Sequence, residues 1–235
     1  MNKLIVVTGG SKGIGRSIIE KFAGEGFDIA TCSRDNGQLD KLKAEINKRY
    51  PSIEIFTKES DLSDKKQVGQ FCEFILGLGR PVSVLVNNAG YFIGGELISE
   101  ADGTLERMIN ANLYSAYNTT RGLVKAMIEK NTGHIFNMCS IASFMAYPNG
   151  GSYAISKFAL LGFSKCLRAE LKHTGIRVTA VMPGATLTES WAGTNLPDER
   201  FIKPEDIAET IFSVYALSGR SVVEEIVIRP QLGDL

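Results

Sequence analysis

The sequence predicts an α/β fold in which one doubly wound, parallel sheet of seven strands carries helices on both faces. Two observations lead to this fold class. Short apolar, β-branched runs alternate along the chain with longer segments that have the apolar spacing of helices. Such alternation builds βαβ units, and right-handed crossovers then give a parallel sheet covered on both sides. The length of 235 residues suits a single domain over residues 1–235, because α/β domains commonly reach about 200–250 residues.

The first half of the chain supplies four strands and three helices. The opening run Leu4-Ile5-Val6-Val7 has no polar alternation, which is typical of a strand buried on both faces. Ile14, Ile18 and Phe22 then share one helical stripe. Pro51 ends the second helix. The predicted elements follow in the order strand 4–8, helix 14–22, strand 28–32, helix 38–50, strand 53–57, helix 64–78 and strand 82–86.

The second half continues the alternation with three strands and three helices. Gly133 and Gly175 close two of these helices, and Pro204 precedes the last. Residues 185–203 show no periodicity and follow a strand end, so we expect them to form a small substrate lid. The predicted elements follow in the order helix 105–131, strand 134–138, helix 152–173, strand 176–181, helix 205–217 and strand 223–228.

Composition and charge argue against several classes of function. The 26 Lys and Arg residues balance the 26 Asp and Glu residues, which argues against a dedicated nucleic-acid binder. No apolar run approaches the ~18 residues of a membrane span, and the run at 4–7 is too short for a secretion signal. The four cysteines lack the spacing of a disulfide framework, and neither His134 nor His173 has metal ligands nearby in sequence. We therefore expect a cytoplasmic protein with free thiols and no metal, membrane or nucleic-acid partner.

A glycine-rich turn joins the first strand to the first helix. The run Thr8-Gly9-Gly10-Ser11-Lys12-Gly13-Ile14-Gly15 lets the backbone approach a phosphate beside the N–H groups of a helix N-terminus. The strict dinucleotide pattern G-x-G-x-x-G is absent. A P-loop nearly fits, but Arg16-Ser17 stands where that motif has lysine followed by serine or threonine. A tight turn without a ligand is a third interpretation of the same residues.

Three further motifs accompany the turn, which itself matches the pattern Thr8-Gly9-x-x-x-Gly13-x-Gly15. Asn87-Asn88-Ala89-Gly90 ends the fourth strand, Ser140 precedes Tyr153-x-x-x-Lys157 by 13 residues, and Pro183-Gly184 ends the sixth strand. Together these motifs resemble the short-chain dehydrogenase/reductase family of classical type over essentially the whole chain. The segment with Glu224-Glu225 and Arg229-Pro230 is similar to reductases related to sepiapterin reductase and 3-oxoacyl-carrier-protein reductase.

The resemblance implies a Rossmann-type domain that transfers hydride between a nicotinamide cofactor and a carbonyl or secondary alcohol, with Asn112, Ser140, Tyr153 and Lys157 as the catalytic set. Tyr153 and Lys157 are four residues apart on one helix, so both side chains lie on one face. A nearby ammonium is expected to lower the phenol pKa from about 10 toward the working pH. Ser140 can polarise the substrate carbonyl. The resemblance implies that Asn112 holds a water molecule in a proton relay through Lys157. It also implies a hydrogen bond from Lys157 to the nicotinamide ribose.

The end of the second strand bears on the choice of nicotinamide cofactor. An acidic residue there binds the ribose 2′-hydroxyl of NAD, whereas this strand ends Thr31-Cys32-Ser33-Arg34. We place Ser33 at the acidic position, and Arg34 and Lys12 suit a phosphate, so NADP(H) is the predicted cofactor. Asp35 would favour NAD(H) if the loop register shifted by two residues.

The resemblance implies further cofactor contacts along the carboxyl ends of the strands. Asp61-Leu62 matches a position that contacts adenine, and Thr188, more than Thr186, matches the position that contacts the nicotinamide amide. The predicted cofactor-binding residues are Gly9, Ser11, Lys12, Gly13, Ile14, Gly15, Ser33, Arg34, Asp61, Leu62, Asn88, Ala89, Gly90, Tyr153, Lys157, Pro183, Gly184, Thr186 and Thr188.

The leading hypothesis is an NADPH-dependent carbonyl reductase acting on a small-molecule carbonyl, for example a 3-oxoacyl thioester or a sepiapterin-like ketone. A non-catalytic NADP(H)-binding redox sensor is the alternative, and the intact catalytic set disfavours it. Family members assemble as dimers or tetramers through long helices, so a homodimer or homotetramer through helices 105–131 and 152–173 is expected. The residues expected to line the substrate pocket or lid are Tyr91, Phe92, Met145, Tyr147, Leu187 and Trp191.

Overall fold

The computed structural model describes residues 2–191 and 193–235, so that Met1 and Ala192 of the predicted lid lie outside the described residues. Seven parallel strands in this part of the chain form one sheet. They are β1 (Leu4–Thr8), β2 (Asp28–Ser33), β3 (Ile55–Glu59), β4 (Val82–Asn87), β5 (Gly133–Met138), β6 (Ile176–Pro183) and β7 (Glu225–Ile228). Their order across the sheet is β3-β2-β1-β4-β5-β6-β7, which confirms the predicted fold class.

Helices cover both faces of this sheet. They are α1 (Gly13–Gly24), α2 (Asn36–Arg49), α3 (Lys65–Gly77), α4 (Thr104–Ile109), α5 (Ser115–Glu129), α6 (Gly151–Leu171) and α7 (Pro204–Tyr215). Buried residues of α1, α2 and α7 form the core on one face, and buried residues of α3, α5 and α6 form the core on the other. None of the described helices is long and apolar enough to cross a bilayer.

The first strand shows why polar alternation is missing from the central sheet. Ile5 and Val7 belong to the core cluster under α1, α2 and α7, whereas Leu4 and Val6 belong to the cluster on the opposite face. Every residue of β1 is buried. Apolar side chains are therefore needed on both faces of the sheet at β1, which explains the continuous apolar run that the sequence predicts for a central parallel strand.

The predicted bounds lie within two residues of the observed ones, except that one predicted helix is divided. The predicted helix at 105–131 is divided into α4 and α5 by a π-helical turn at Asn110–Tyr114, a rare feature that often marks functional sites. Its apolar pattern continues across the turn, so periodicity alone could not reveal the break. The third strand begins at Ile55 rather than 53, because Ile29 of β2 pairs with Ile55 and Ile53 is buried in the turn before the strand.

The order of the strands determines where a ligand can bind. β1 lies between β2 and β4, so the connections leave β1 and β4 in opposite directions across the sheet. A crevice opens at the carboxyl ends of strands at such a switch point. The glycine turn follows β1 at this edge, and Asn88-Ala89-Gly90 follows β4.

Candidate active site

The glycine turn is shaped for close backbone approach. Gly9 and Gly13 have φ values of +66° and +56°, in the left-handed region where glycine is favoured. At Gly15 a Cβ atom would lie 2.5 Å from the Gly9 oxygen and 2.5 Å from Asn88 Nδ2. A side chain at Gly15 would therefore push apart the first turn of α1 and the end of β4.

Hydrogen bonds tie the ends of β1 and β4 together across the crevice. Thr8 Oγ1 accepts from the backbone N–H groups of Asn88 and Ala89, both at 2.9 Å. The Asn88 amide donates to the Thr8 oxygen at 2.9 Å and to the Gly9 oxygen at 3.0 Å. Both hydrogens of this amide are used within the protein, so the Asn88 side chain supports the turn.

The predicted site residues converge on one cleft of about 490 Å³ at this edge of the sheet. Every predicted cofactor-binding residue lines it, as do Ser140, Tyr153 and Lys157. Asn112 is the member of the predicted catalytic set that does not line the cleft; it is 1% exposed and lies behind the wall. Arg16, at the P-loop lysine position, is also outside the lining and pairs with Glu20 and Glu45 on the surface.

Ser140 follows β5 and is held in a defined orientation. Its hydroxyl accepts from the Ala142 N–H at 3.1 Å, and its own N–H donates to Ser143 Oγ at 3.1 Å. This reciprocal capping box begins a short 3-10 helix, Ile141–Ser143. Because the oxygen already accepts a hydrogen bond, the Ser140 hydroxyl proton can be donated into the cleft.

Tyr153 and Lys157 lie one turn apart on α6, as predicted. Lys157 Nζ is 5.7 Å from the centre of the Tyr153 ring and donates to the Met138 oxygen at 2.7 Å. The other side of the phenol packs edge-on against Phe92, with 4.9 Å between ring centres. The backbone of β5 and a ring from the segment after β4 therefore hold the pair in place.

Burial controls the titration of this pair. Desolvation raises the pKa of Tyr153, and the nearby Ser140 hydroxyl opposes the rise by favouring the phenolate. Desolvation also lowers the pKa of Lys157 to about 8, so the amine remains largely protonated at neutral pH. The expected lowering of the Tyr153 pKa by Lys157 is not observed, because burial outweighs other influences on the phenol and the ammonium is directed at Met138.

Asn112 lies in the π-helical turn and acts through its neighbours. Its Oδ1 accepts from the Tyr91 N–H at 2.9 Å, and its Nδ2 donates to the Tyr91 oxygen at 3.1 Å and to Ser156 Oγ at 3.0 Å. Gly90 permits this approach, since a Cβ there would lie 2.6 Å from Asn112 Oδ1. The side chain joins the segment after β4 to α6 next to Lys157, and both amide hydrogens are used in doing so.

The residues after β2 form a polar pocket without a carboxylate. Ser11 Oγ lies 3.1 Å from both Ser33 Oγ and Gln38 Oε1. The Arg34 guanidinium lies 5.9 Å from the centre of the Tyr91 ring, at the rim of the cleft. Asp35 does not line the cleft; it caps α2 by accepting from the Gln38 N–H at 3.1 Å. The alternative in which Asp35 enters the site is therefore not observed.

Lys12 has a partner that the sequence did not suggest. Its ammonium pairs with Glu189, which belongs to a short 3-10 helix, Glu189–Trp191, in the predicted lid. Both side chains are exposed and both residues line the cleft. The pair crosses the mouth of the cleft from the glycine turn to residues 185–203.

Asp61 and Leu62 lie at the far end of the cleft. The Asp61 carboxylate accepts from the N–H of Ser63 at 2.9 Å and from its hydroxyl at 2.7 Å, and the Asp61 N–H donates to Gln67 Oε1 at 2.9 Å. Leu62 is buried. These contacts fix the loop between β3 and α3 as one end wall.

Aromatic and sulfur-containing side chains line the opposite end. Tyr91, Phe92, Met145, Tyr147 and Trp191 all line the cleft as expected, whereas Leu187 does not. Burial raises the pKa of Tyr147 to about 12, which keeps this phenol neutral. Sequence reasoning missed several lining residues, chiefly Glu189, Asp234 and Leu235. No motif marks them: Glu189 lies in the predicted lid, and Asp234 and Leu235 reach the cleft because the chain folds back to it after β7. The described residues contain no cluster of side chains suited to a metal ion.

Comparisons with known proteins agree with this geometry. A family model described as short chain dehydrogenase matches residues 3–198. Sepiapterin reductase of Chlorobaculum tepidum is 31% identical over 245 residues, covering 100% of this chain and 99% of the relative. A 3alpha-hydroxysteroid dehydrogenase of Mediterraneibacter gnavus is 30% identical, covering 96% and 94% of the two chains. Among solved structures, an alcohol dehydrogenase from the archaeon Thermococcus sibiricus, complexed with 5-hydroxy-NADP, superimposes with a TM-score of 0.93 at 26% identity, covering 100% and 99%.

Proposed function

The chain belongs to the short-chain dehydrogenase family and is an NADP-dependent oxidoreductase, and from this premise we propose that it reduces a small carbonyl substrate with Tyr153 as the proton donor. The observation that carries the proposal is the convergence of Ser140, Tyr153 and Lys157 on the cleft that also holds the glycine turn. A sensor of the nicotinamide pool would need the turn but not the other three side chains.

The cleft fits a dinucleotide with a 2′-phosphate. The turn at Gly9, Gly13 and Gly15, together with the N-terminus of α1, would hold the pyrophosphate. Arg34, with the hydroxyls of Ser11 and Ser33 beside it, would hold the 2′-phosphate, and no carboxylate stands there to repel it. When bound, NADPH supplies a hydride for the carbonyl carbon.

The protein's own side chains handle the substrate oxygen and the proton. Ser140 donates a hydrogen bond to that oxygen, and Tyr153 transfers its phenolic proton to the alkoxide as it develops. Burial keeps Tyr153 protonated at neutral pH, which suits an acid in the reductive direction. The Ser140 hydroxyl favours the phenolate that remains after transfer, and the Lys157 ammonium lies 5.7 Å from the centre of the phenol ring. Asn112 keeps α6 and the segment after β4 in register for this step.

The aromatic end of the cleft favours a flat or largely apolar carbonyl compound. Tyr147 and Trp191 provide faces for stacking, and Met145 can adapt its shape between them. We therefore propose sepiapterin-like diketones as the first substrate class to test, with 3-oxoacyl thioesters second. In this proposal the chain folds as one domain over residues 1–235, and residues 185–203, whose two ends pair through a bridge between Thr186 and Ile202, serve as the lid.

Assembly and location complete the proposal. Tyr114, at the end of the π-helical turn, and Ile155 and Phe158 on α6 leave large apolar surfaces exposed, which supports a homodimer or homotetramer through the helices named from the sequence. The four cysteines are free thiols, and Cys166 is exposed, which suits a reducing compartment such as the cytoplasm.

A panel of carbonyl compounds tests the function directly. Oxidation of NADPH is followed by loss of its absorbance, with a sepiapterin-like diketone, acetoacetyl thioesters and simple ketones as substrates. We expect reduction of at least one class, with kcat/KM higher for NADPH than for NADH. Tight NADPH binding without turnover of any compound would instead support the sensor. Replacement of Arg34 by leucine should lower kcat/KM with NADPH by about tenfold to a hundredfold and leave NADH nearly unaffected.

A further inference from the structure

The helix that carries Tyr153 in its first turn, α6, is preceded by a glycine rather than by a capping side chain. The first N–H groups of an α-helix lack partners within the helix, and a side chain just before the helix usually accepts from them. Here α6 begins at Gly151, and Gly150 before it has no side chain to do so. Helix ends fray when they are not held. The proton donor, third in α6, therefore needs support from another part of the chain.

A carboxylate from residues 91–100, the segment after β4, supplies that support. Glu100 accepts from the backbone N–H of Ser152 at 3.4 Å, and the Ser152 hydroxyl donates to the other oxygen of the same carboxylate. Ser152 is fully buried and Glu100 is half-buried. Negative charge is favourable at this end of a helix, because the N–H groups there carry partial positive charge. Glu100 thus holds the residue immediately before Tyr153 by both its backbone and its side chain.

The same segment also contacts the Tyr153 ring and the turn before α6. Phe92 packs edge-on against the phenol, with 4.9 Å between ring centres. The Gly95 N–H donates to the Asn149 oxygen at 3.1 Å. The two backbones approach so closely that a Cβ at Gly151 would lie 2.4 Å from the Gly95 oxygen. The segment therefore fixes both the backbone around the first turn of α6 and one face of the phenol.

We propose that Glu100 is a positioning residue for proton transfer, because its hydrogen bonds to Ser152 fix the first turn of α6 and so place the Tyr153 hydroxyl against the substrate oxygen. This inference rests on the proposed function. Glu100 does not line the cleft, so it acts through α6 rather than on substrate or cofactor. A misplacement of about 1 Å in a reacting group costs about a hundredfold in rate, so a contact one residue away from the proton donor is close enough to control kcat.

Loss of these hydrogen bonds should lower kcat and leave cofactor binding unchanged. Replacement Glu100→Ala removes both of them, and we expect kcat for a carbonyl compound that the wild type reduces to fall by about tenfold to a hundredfold. The Kd for NADPH, measured by fluorescence titration, should change by less than about threefold, because the glycine turn is untouched. Glu100→Gln keeps an acceptor oxygen for Ser152 and should lose less than about fivefold in kcat. Glu96→Ala, at an exposed glutamate of the same segment outside the cleft, is the matched control and should behave like the wild type.

A second substitution shows whether the effect passes through Tyr153. In Tyr153→Phe the proton donor is already absent, so adding Glu100→Ala should lower the residual single-turnover rate by less than about twofold. A merely structural role of Glu100 would lower the rate by the same factor with and without the phenolic hydroxyl. Ser152→Ala should lower kcat by less than Glu100→Ala does, and the two substitutions together should be no worse than Glu100→Ala alone, because they remove a shared hydrogen bond.

The outcomes separate this inference from the proposed function. A fall in kcat of less than about tenfold in Glu100→Ala, a parallel rise in the Kd for NADPH, or equal losses with and without the Tyr153 hydroxyl would overturn the role of Glu100 while leaving the reductase activity intact. If the wild type binds NADPH but reduces no carbonyl compound, or if Tyr153→Phe keeps full activity, the proposed function fails instead, and Glu100 has no proton donor to position.

Discussion

The two ends of the cleft are built by different kinds of contact. The cofactor end consists of backbone turns and hydrogen bonds between adjacent strands, as where Thr8 Oγ1 accepts from the N–H groups after β4. The substrate end is assembled from side chains of four separate segments, represented by Phe92, Met145, Trp191 and Asp234. The first kind of contact needs short motifs with glycines at fixed positions. The second depends on how distant segments pack. Shared cofactor use and divergent substrates within one family follow from that difference.

Replacement of Tyr153 by phenylalanine should have the largest effect on activity. It should impair the substrate end of the cleft and leave the cofactor end intact. The phenolic proton is lost while the ring packing against Phe92 is kept. General acid catalysis typically contributes about 10²–10⁴ in rate, so kcat should fall by that factor. The affinity for NADPH, measured by fluorescence titration, should change by less than about threefold, because the glycine turn and Arg34 are untouched.

Tyr147→Phe is the matched control for this experiment. Tyr147 lines the same end of the cleft, but it has no contact with a cation in the described part of the chain. We expect less than about a tenfold change in kcat/KM from loss of one neutral hydroxyl. If Tyr153→Phe retained activity within about tenfold of the wild type, Tyr153 would not be the proton donor and the assignment of the substrate end would be wrong.

Replacement of Gly15 by alanine should damage the cofactor end selectively. The new Cβ would lie 2.5 Å from the Gly9 oxygen and 2.5 Å from Asn88 Nδ2, so the turn must move. Overpacking of this kind costs about 1–3 kcal/mol, and we expect the Kd for NADPH to rise by about fivefold to a hundredfold. Titration of the variant with NADPH measures this directly.

Gly69→Ala provides the control for the glycine experiment. Gly69 lies within α3, and a Cβ there would meet no atom within 4 Å. Alanine is the better helix former, so stability should be unchanged or higher by up to about 1 kcal/mol, with NADPH affinity unchanged. Equal affinities in Gly15→Ala and Gly69→Ala would show that the turn tolerates a side chain and is not a close-fitting cradle.

The same contrast explains which parts of the molecule could be predicted from the sequence. The positions of the strands and the glycine turn follow from local patterns, since a run such as Leu4-Ile5-Val6-Val7 is typical of a strand buried on both faces. The spacing of Tyr153 and Lys157 places them on one face of α6, but it does not indicate how deeply the two side chains are buried. For that reason the expected direction of the Tyr153 pKa shift differs from the one observed.

Sequence patterns could not predict the residues whose positions depend on long-range packing. Asp234 and Glu189 reach the cleft only because distant segments return to it, and neither belongs to a motif. Asn112 belongs to a recognisable motif, yet its contacts with Tyr91 and Ser156 depend on a π-helical turn that periodicity cannot detect. Long-range packing, rather than local propensity, accounts for each of these cases.

The pair between Lys12 and Glu189 links the two ends, and breaking it should give the smallest effect. Glu189→Gln removes the partner of Lys12 and one negative charge at the mouth of the cleft. The ammonium is then available to a phosphate, so NADPH should bind more tightly, by up to about fivefold, as expected for one exposed ion pair. The gain should disappear in 1 M salt, where the Debye length is about 3 Å.

Glu73→Gln, an exposed change on α3, should leave the affinity for NADPH unaltered. Weaker NADPH binding by Glu189→Gln at low salt would mean instead that this pair holds residues 185–203 over the cofactor, and the lid would then belong to the cofactor end as much as to the substrate end.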